Sequence, residues 1–128
     1  MVALRFNHIA PHFFSSDVAR SKEFYEGVLG FSLDYSNGEP PSYIVMRRDD
    51  VYLHLSCPGP YGVPKNAGAA FVAVAGVESL WEQASAWPKC IADPLKDADY
   101  GGGVRFKAFA VQDPDGNLLR IGEPLPYR

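Results

Sequence analysis

The chain has 128 residues, 47% hydrophobic and 21% charged, with a formal charge of -3 from 12 basic and 15 acidic side chains. That length suits one domain, or two small halves sharing a core, and the composition excludes a disordered or coiled-coil chain. No apolar run nears the ~20 residues of a membrane span, and the scattered basic residues, with Arg47-Arg48 the longest pair, exclude a nucleic-acid footprint.

Residues 3–14 alternate loosely through Phe6, Ile9, Phe13 and Phe14. They predict a strand interrupted at Pro11, which cannot donate to a ladder. Ser15-Ser16-Asp17 is a helix-start signal. Val18, Ser21, Phe24, Tyr25, Val28 and Leu29 follow at helical spacing, and Gly30 is a left-handed stop, so a helix is expected over 17–29. Short strands are expected over 31–35, 43–47 and 51–57, the last two joined by a tight hairpin at Arg48-Asp49-Asp50.

The Pro- and Gly-rich segment 58–64 breaks regular structure. After it the pattern restarts with a strand over 69–74 and a helix over 77–86, ended by Pro88. A short strand over 90–92 and a polar, glycine-rich loop over 93–103 come next. Strands over 104–111 and 118–122 flank Asp113-Pro114-Asp115-Gly116-Asn117, a strong turn signal. Each half thus runs strand, helix, strand, strand, strand. Neither half buries both its faces alone, so the two share a core or pair with another chain.

The N-terminus, MVALRFNHIAPHFF, lacks the layout of a secretory signal, so a cytoplasmic location is expected. Cys57 and Cys90 then read as separate reduced thiols. Two Trp, seven Tyr and eight Phe make 13% of the chain aromatic; most belong to the core, and the excess suits a ligand cleft. No nucleophile elbow or Walker loop is present, and Gly101-Gly102-Gly103 is no dinucleotide fingerprint. Cys57 and His54 fall on opposite faces of a regular strand and make no nucleophilic pair. No catalytic residue is nominated.

Three stretches carry a resemblance: the helix from Asp17 through Phe24-Tyr25-Glu26-Gly27-Val28-Leu29-Gly30-Phe31, the hairpin strand Val51-Tyr52-Leu53-His54-Leu55-Ser56, and Phe109 through Asp113-Pro114-Asp115-Gly116-Asn117 to Ile121. Together they resemble the vicinal-oxygen-chelate superfamily of glyoxalases, bleomycin-resistance proteins and dioxygenases, closest in pattern to the bleomycin-resistance-like members. The resemblance implies an α+β fold of two βαβββ modules forming a curved mixed sheet, with module one over 1–58, a loop over 59–67 and module two over 68–128. It also implies a homodimer with clefts shared between chains.

Enzymes of the superfamily commonly hold one divalent metal on His and Glu side chains from the first and last strands of each module. Those positions fall here on Ala10, His54, Phe71 and Arg120. Only His54 could ligate, since Ala10 and Phe71 lack donor atoms and Arg120 stays protonated. The resemblance therefore argues against a metal cofactor. His8 and His12 share the strand parity of Ala10 but lie ~13 Å apart in extended chain, too far to share one ion. If a divalent metal is held, its candidate ligands are His8, His12 and His54.

Similarity to the metal-free binders implies a small planar aromatic ligand or drug in a dimer-interface cleft, and antibiotic resistance as the associated role. The positions carried over are Asp34, Tyr35, Tyr43, His54, Ser56, Asn66, Phe71, Arg105 and Arg120. Lys65 stands where those proteins tend to carry an acid, and Arg105 where they carry a ring. With Arg120 facing the cleft, an anionic or zwitterionic aromatic is favoured over a cation. The alternative is a metal-dependent lyase, isomerase or dioxygenase of the same superfamily with atypical ligands.

Overall fold

The computed structural model describes residues 2–58 and 65–126; most of the expected loop over 59–67 lies outside the described residues. Helix α1 (Val18–Leu29) starts and stops as its capping chemistry dictates. Asp17 is extended, and its Oδ1 accepts the backbone N–H groups of Ala19 and Arg20 at 3.1 and 3.3 Å. Gly30 closes the helix at φ 69°, a conformation glycine adopts without strain. The stripe of Val18, Phe24, Tyr25, Val28 and Leu29 is buried, each large apolar member contributing about 1.5–3 kcal/mol.

Strand β1 (His12–Phe14) precedes α1; β2 (Ser32–Asn37), β3 (Tyr43–Arg48) and β4 (Val51–Ser56) follow it. They form a mixed sheet in the order β1-β4-β3-β2, with β1 parallel to β4 and the other pairs antiparallel. The arrangement then repeats. Strand β5 (Ala69–Ala73), helix α2 (Val77–Ala84) and strands β6 (Ile91–Asp99), β7 (Arg105–Gln112) and β8 (Leu118–Pro124) give a second sheet in the order β5-β8-β7-β6. This is the expected doubled βαβββ pattern.

Two expectations need correction beyond the ends of elements. The strand expected over 3–14 is paired only over His12–Phe14, and residues 2–10 run on without a ladder. Their alternation gives one apolar edge, but a strand also needs a neighbour, and β4 begins only at Val51. Second, the short strand and loop expected over 90–103 are a 3-10 turn at Pro88–Cys90 followed by the nine-residue β6. Ile91 and Leu95 face inward while Asp93 pairs with Ala110 on the opposite face, so the two register shifts against β7, with the polar Lys96 and Asp97, hide the period.

The helix-covered faces of both sheets meet in one core. Phe13, Leu53, Leu55, Ile44 and Met46 from the first sheet join Phe109, Val111, Leu119 and Ile121 from the second. The β7–β8 turn fastens the halves together. The Tyr25 hydroxyl donates to Asp113 Oδ2 at 2.8 Å, and Asn117 Nδ2 donates to the Phe14 carbonyl at 2.8 Å. Burial first, and then the Asp113 carboxylate, push the Tyr25 phenol well above its ordinary range, so it stays a donor. Among the described residues no helix is long and apolar enough to cross a membrane.

Candidate functional site

Because the core takes one face of each sheet, the other face of each is left to solvent. On the first sheet the ladder aligns Tyr35, Val45, His54 and His12 in one row across β2, β3, β4 and β1. The next row holds Asn37, Tyr43, Ser56 and Phe14. Directly paired residues point to the same side, so His12, His54, Tyr43 and Ser56 share the face opposite Leu53 and Leu55.

These polar groups are tied to one another. Tyr43 Oη lies 2.6 Å from His54 Nδ1, and His12 Nε2 lies 2.9 Å from Ser56 Oγ. The two imidazole centroids are 6.0 Å apart, and Tyr43 stands edge-on to both. Burial, with Tyr35 second, raises the Tyr43 phenol, so it is protonated near neutral pH and its hydroxyl donates to His54 Nδ1 or accepts from it according to the imidazole tautomer. In the tautomer in which Tyr43 is the donor, His54 Nε2 carries the ring proton and is free to donate toward a bound molecule.

The His12 ring loses basicity through burial first and the neighbouring His54 second. Its folded-state pKa lies below the ordinary value of about 6.5, so the unfolded chain binds the proton more readily. The contribution is present above about pH 6.5 and is lost as pH falls through the window below it. Urea midpoints should therefore drop as pH falls below about 6.5, and His12→Gln should flatten that slope.

On the second sheet the equivalent row is Phe71, Arg120, Ala110 and Asp93. Phe71 packs edge-on to Phe106 at 5.2 Å, and Tyr100 stands 5.7 Å from Phe106. The floor under them is made of small residues. A Cβ on Gly122 would sit 3.0 Å from the Phe71 ring and 3.3 Å from Ala108. Arg120 Nη1 is 3.9 Å from Asp93 Oδ2, a loose ion pair that leaves donors free.

The ladder corrects several sequence expectations. His12, not Ala10, is paired with His54, as Phe71 is paired with Arg120; the sequence of one strand does not show this because pairing is what sets the position. His8 instead stacks on Tyr52 at 5.7 Å, outside the cluster. Asp34 falls in the register shift between Leu33 and Tyr35 and lines a shallow recess with Ser32 and Arg47. Arg105 pairs with Asp97 at 3.4 Å, and alternation sets it on the face opposite Phe106. Asn66 is exposed on the bend before β5. Tyr35, Tyr43, His54 and Ser56 are brought together on the first sheet, and Phe71 and Arg120 on the second. The small floor of Ala108, Ala110 and Gly122 was missed, although its alternation with Phe109, Val111 and Ile121 is visible in the sequence.

None of the hydrogen bonds, ion pairs or ring contacts among the described residues joins one face to the other. A divalent metal does not fit this donor set. His12 and His54 offer two imidazoles, Phe71 offers nothing and Arg120 is a cation. Among the described residues no three His, Cys, Asp or Glu side chains converge, and such ions need three or more protein ligands.

A family model described as the Glyoxalase/Bleomycin resistance protein/Dioxygenase superfamily matches residues 5–121. No curated protein matches the chain. Among solved structures, TioX from Micromonospora sp. ML1 superposes with a TM-score of 0.78 at 20% identity, covering 94% of this chain and 100% of its own. TnmS3, an antibiotic binding protein from Streptomyces sp. CB03234, gives 0.70 at 20% identity over 96% of this chain and 100% of its own. Lactoylglutathione lyase from Agrobacterium tumefaciens gives 0.69 at 16% identity over 91% and 92%. At these identities the likeness shows the fold.

Proposed function

The chain belongs to the glyoxalase/bleomycin resistance protein/dioxygenase superfamily, and from that premise we propose that it binds a small planar aromatic acid, without metal, in a cleft completed by a second copy of itself. The observation that carries this reading is the pairing of unlike faces. The first sheet offers Tyr35, Tyr43 and two imidazoles. The second offers the Phe71 and Phe106 rings with the Arg120 guanidinium. Rings on both sides suit a flat molecule, and the cation and His54 Nε2 suit a carboxylate or phenolate oxygen.

A second copy is required because one chain turns the two faces away from their common core. A symmetric dimer then sets each first-sheet face against the partner's second-sheet face and forms two equal clefts. The antibiotic binding of TnmS3, a protein of the same fold, supports a small-molecule ligand.

The test is a calorimetric titration of the purified protein with 2-naphthoate and with 2-naphthylmethylamine in chelator-treated buffer. The carboxylate should bind at two sites per dimer, and the amine at least about tenfold more weakly, a difference of about 1.4 kcal/mol. Binding that appears only after a divalent metal is added would overturn the reading in favour of a metal-dependent enzyme. Tryptophan fluorescence is a poor substitute, because Trp81 lies on Phe109 and Trp87 against Gly27, both on the helix side.

A further inference from the structure

A cavity of about 470 Å³ opens between the two halves, bounded by the β3–β4 hairpin, the end of β5 and the start of α2. Val51 and Val72 line it and alternate with Tyr52 and Phe71. It therefore lies on the core side of both sheets, opposite the rows that hold His54 and Phe71. Its depth is made by buried members of the shared core, Leu29, Phe31, Leu119 and Ile121. Val74 and Leu80, half-buried, continue the wall outward. Phe31 is the one ring among these lining residues, and the rest of the apolar wall is aliphatic. A Cβ on Gly76 would meet nothing within 4 Å, so the mouth is open on that side.

Three charged side chains line the cavity, Arg48, Asp49 and Asp50, and all three residues are exposed, which sets them at its mouth. The positive groups there are already engaged. Arg48 Nη1 donates to the Leu29 carbonyl at 2.7 Å, at the end of α1 where a cation complements the helix dipole. At the start of α2, Glu123 Oε1 accepts the backbone N–H groups of Gly76 and Val77, each at 2.9 Å. The negative groups are not engaged. Arg47 Nε donates to Asp49 at 2.8 Å, but to its backbone carbonyl. Among the described residues, neither the Asp49 nor the Asp50 carboxylate has a hydrogen bond or an ion pair. What remains is uncompensated negative charge over an aliphatic hollow.

We propose that this cavity is a second ligand site, separate from the dimer cleft, and that it takes an aliphatic primary amine whose chain fills the hollow while its ammonium meets Asp49 and Asp50. The volume is that of a small-molecule pocket. Aliphatic walls suit a flexible chain and give a fused ring little to stack on. An ammonium brings three donors to two carboxylates, and such charge-assisted bonds are the strong ones. An anion of the same length would meet two like charges and find Arg48 and the start of α2 already occupied. The two sites of the molecule thus have opposite preferences: a flat acid in the cleft, a chain with a cationic head in the cavity. Both halves of the chain wall the cavity, so an occupant holds them together and raises the melting temperature by mass action.

The test is a calorimetric titration of the full-length protein with n-octylamine, n-octanol and n-octanoate, each below its micelle concentration. The amine should bind at one site per chain, and the octanoate at least ~10-fold more weakly. Asp49→Asn with Asp50→Asn should weaken the amine ~10-fold or more and leave the alcohol unchanged. Both residues are exposed, and Asn accepts the φ of 50° at Asp49, so this variant should keep its circular dichroism. Val74→Trp should fill the hollow and abolish binding of both amine and alcohol; if that variant does not fold, the double Asn variant decides alone. Equal affinities for amine and octanoate, or an amine affinity unmoved by the double Asn change, would overturn the proposal. Amine binding that is lost in Phe71→Ala or competed by 2-naphthoate would also overturn it, by placing the amine in the cleft. Failure of 2-naphthoate to bind, with the amine still selective, would overturn the cleft reading and leave this site standing.

Discussion

Asp113→Ala is expected to lower the unfolding free energy by about 3–5 kcal/mol. The Asp113 side chain is almost wholly buried at 5% exposure. Its Oδ1 accepts the backbone N–H groups of Asp115 and Asn117, each at 2.9 Å. Its Oδ2 accepts Asn117 Nδ2 and the Tyr25 hydroxyl, each at 2.8 Å. Truncation would leave these donors buried without their acceptor, and an unsatisfied buried polar group costs about 1–3 kcal/mol. The loss is below the sum because the turn can relax and admit water. Urea unfolding with an unchanged m-value would confirm it. Tyr25→Phe removes one bond and should cost about 1–2 kcal/mol, so an equal loss in both variants would contradict the shared network.

The second large effect concerns affinity and where the two halves of the cleft come from. His54→Ala and Phe71→Ala should each weaken 2-naphthoate binding about 10–100-fold, or about 1.4–2.8 kcal/mol. Neither side chain belongs to the shared core, so melting temperatures should move little. The decisive experiment mixes the two variants. If each cleft takes His54 from one copy and Phe71 from the other, a mixed dimer has one intact cleft and one doubly altered cleft. Random pairing at equal amounts makes half the dimers mixed, so about a quarter of all clefts should regain full affinity. If both residues served one cleft within a chain, mixing would restore nothing.

Helix α1 was legible from local chemistry alone, because Asp17, the apolar stripe and Gly30 each act within a turn or two. The hairpin of β3 and β4 and the turn at 113–117 were legible for the same reason. Strand β6 was not, since an edge strand with polar Asp93, Lys96 and Asp97 and two register shifts loses its period of two. The candidate site was half legible. Tyr35, Tyr43, His54, Ser56, Phe71 and Arg120 could be nominated from strand parity and family resemblance. The role of His12 could not, because it depends on which residue of β4 lies beside it, and Asp34 was displaced by a bulge that no local signal marks. Register is a property of two strands, and a single strand's pattern does not contain it.

The fastening of the first half by the second also bears on the order of events during synthesis. Tyr25 waits for Asp113, 88 residues later, and the Phe14 carbonyl waits for Asn117, 103 residues later. Contacts of such separation form only after most of the chain exists, and they slow folding relative to local ones. Until residue 117 has emerged from the ribosome, the first sheet and α1 lack both their polar anchor and the apolar cover of Phe109, Leu119 and Ile121. The two halves therefore reach their final form together, in one late step, although their repeated pattern suggests units that could fold in turn.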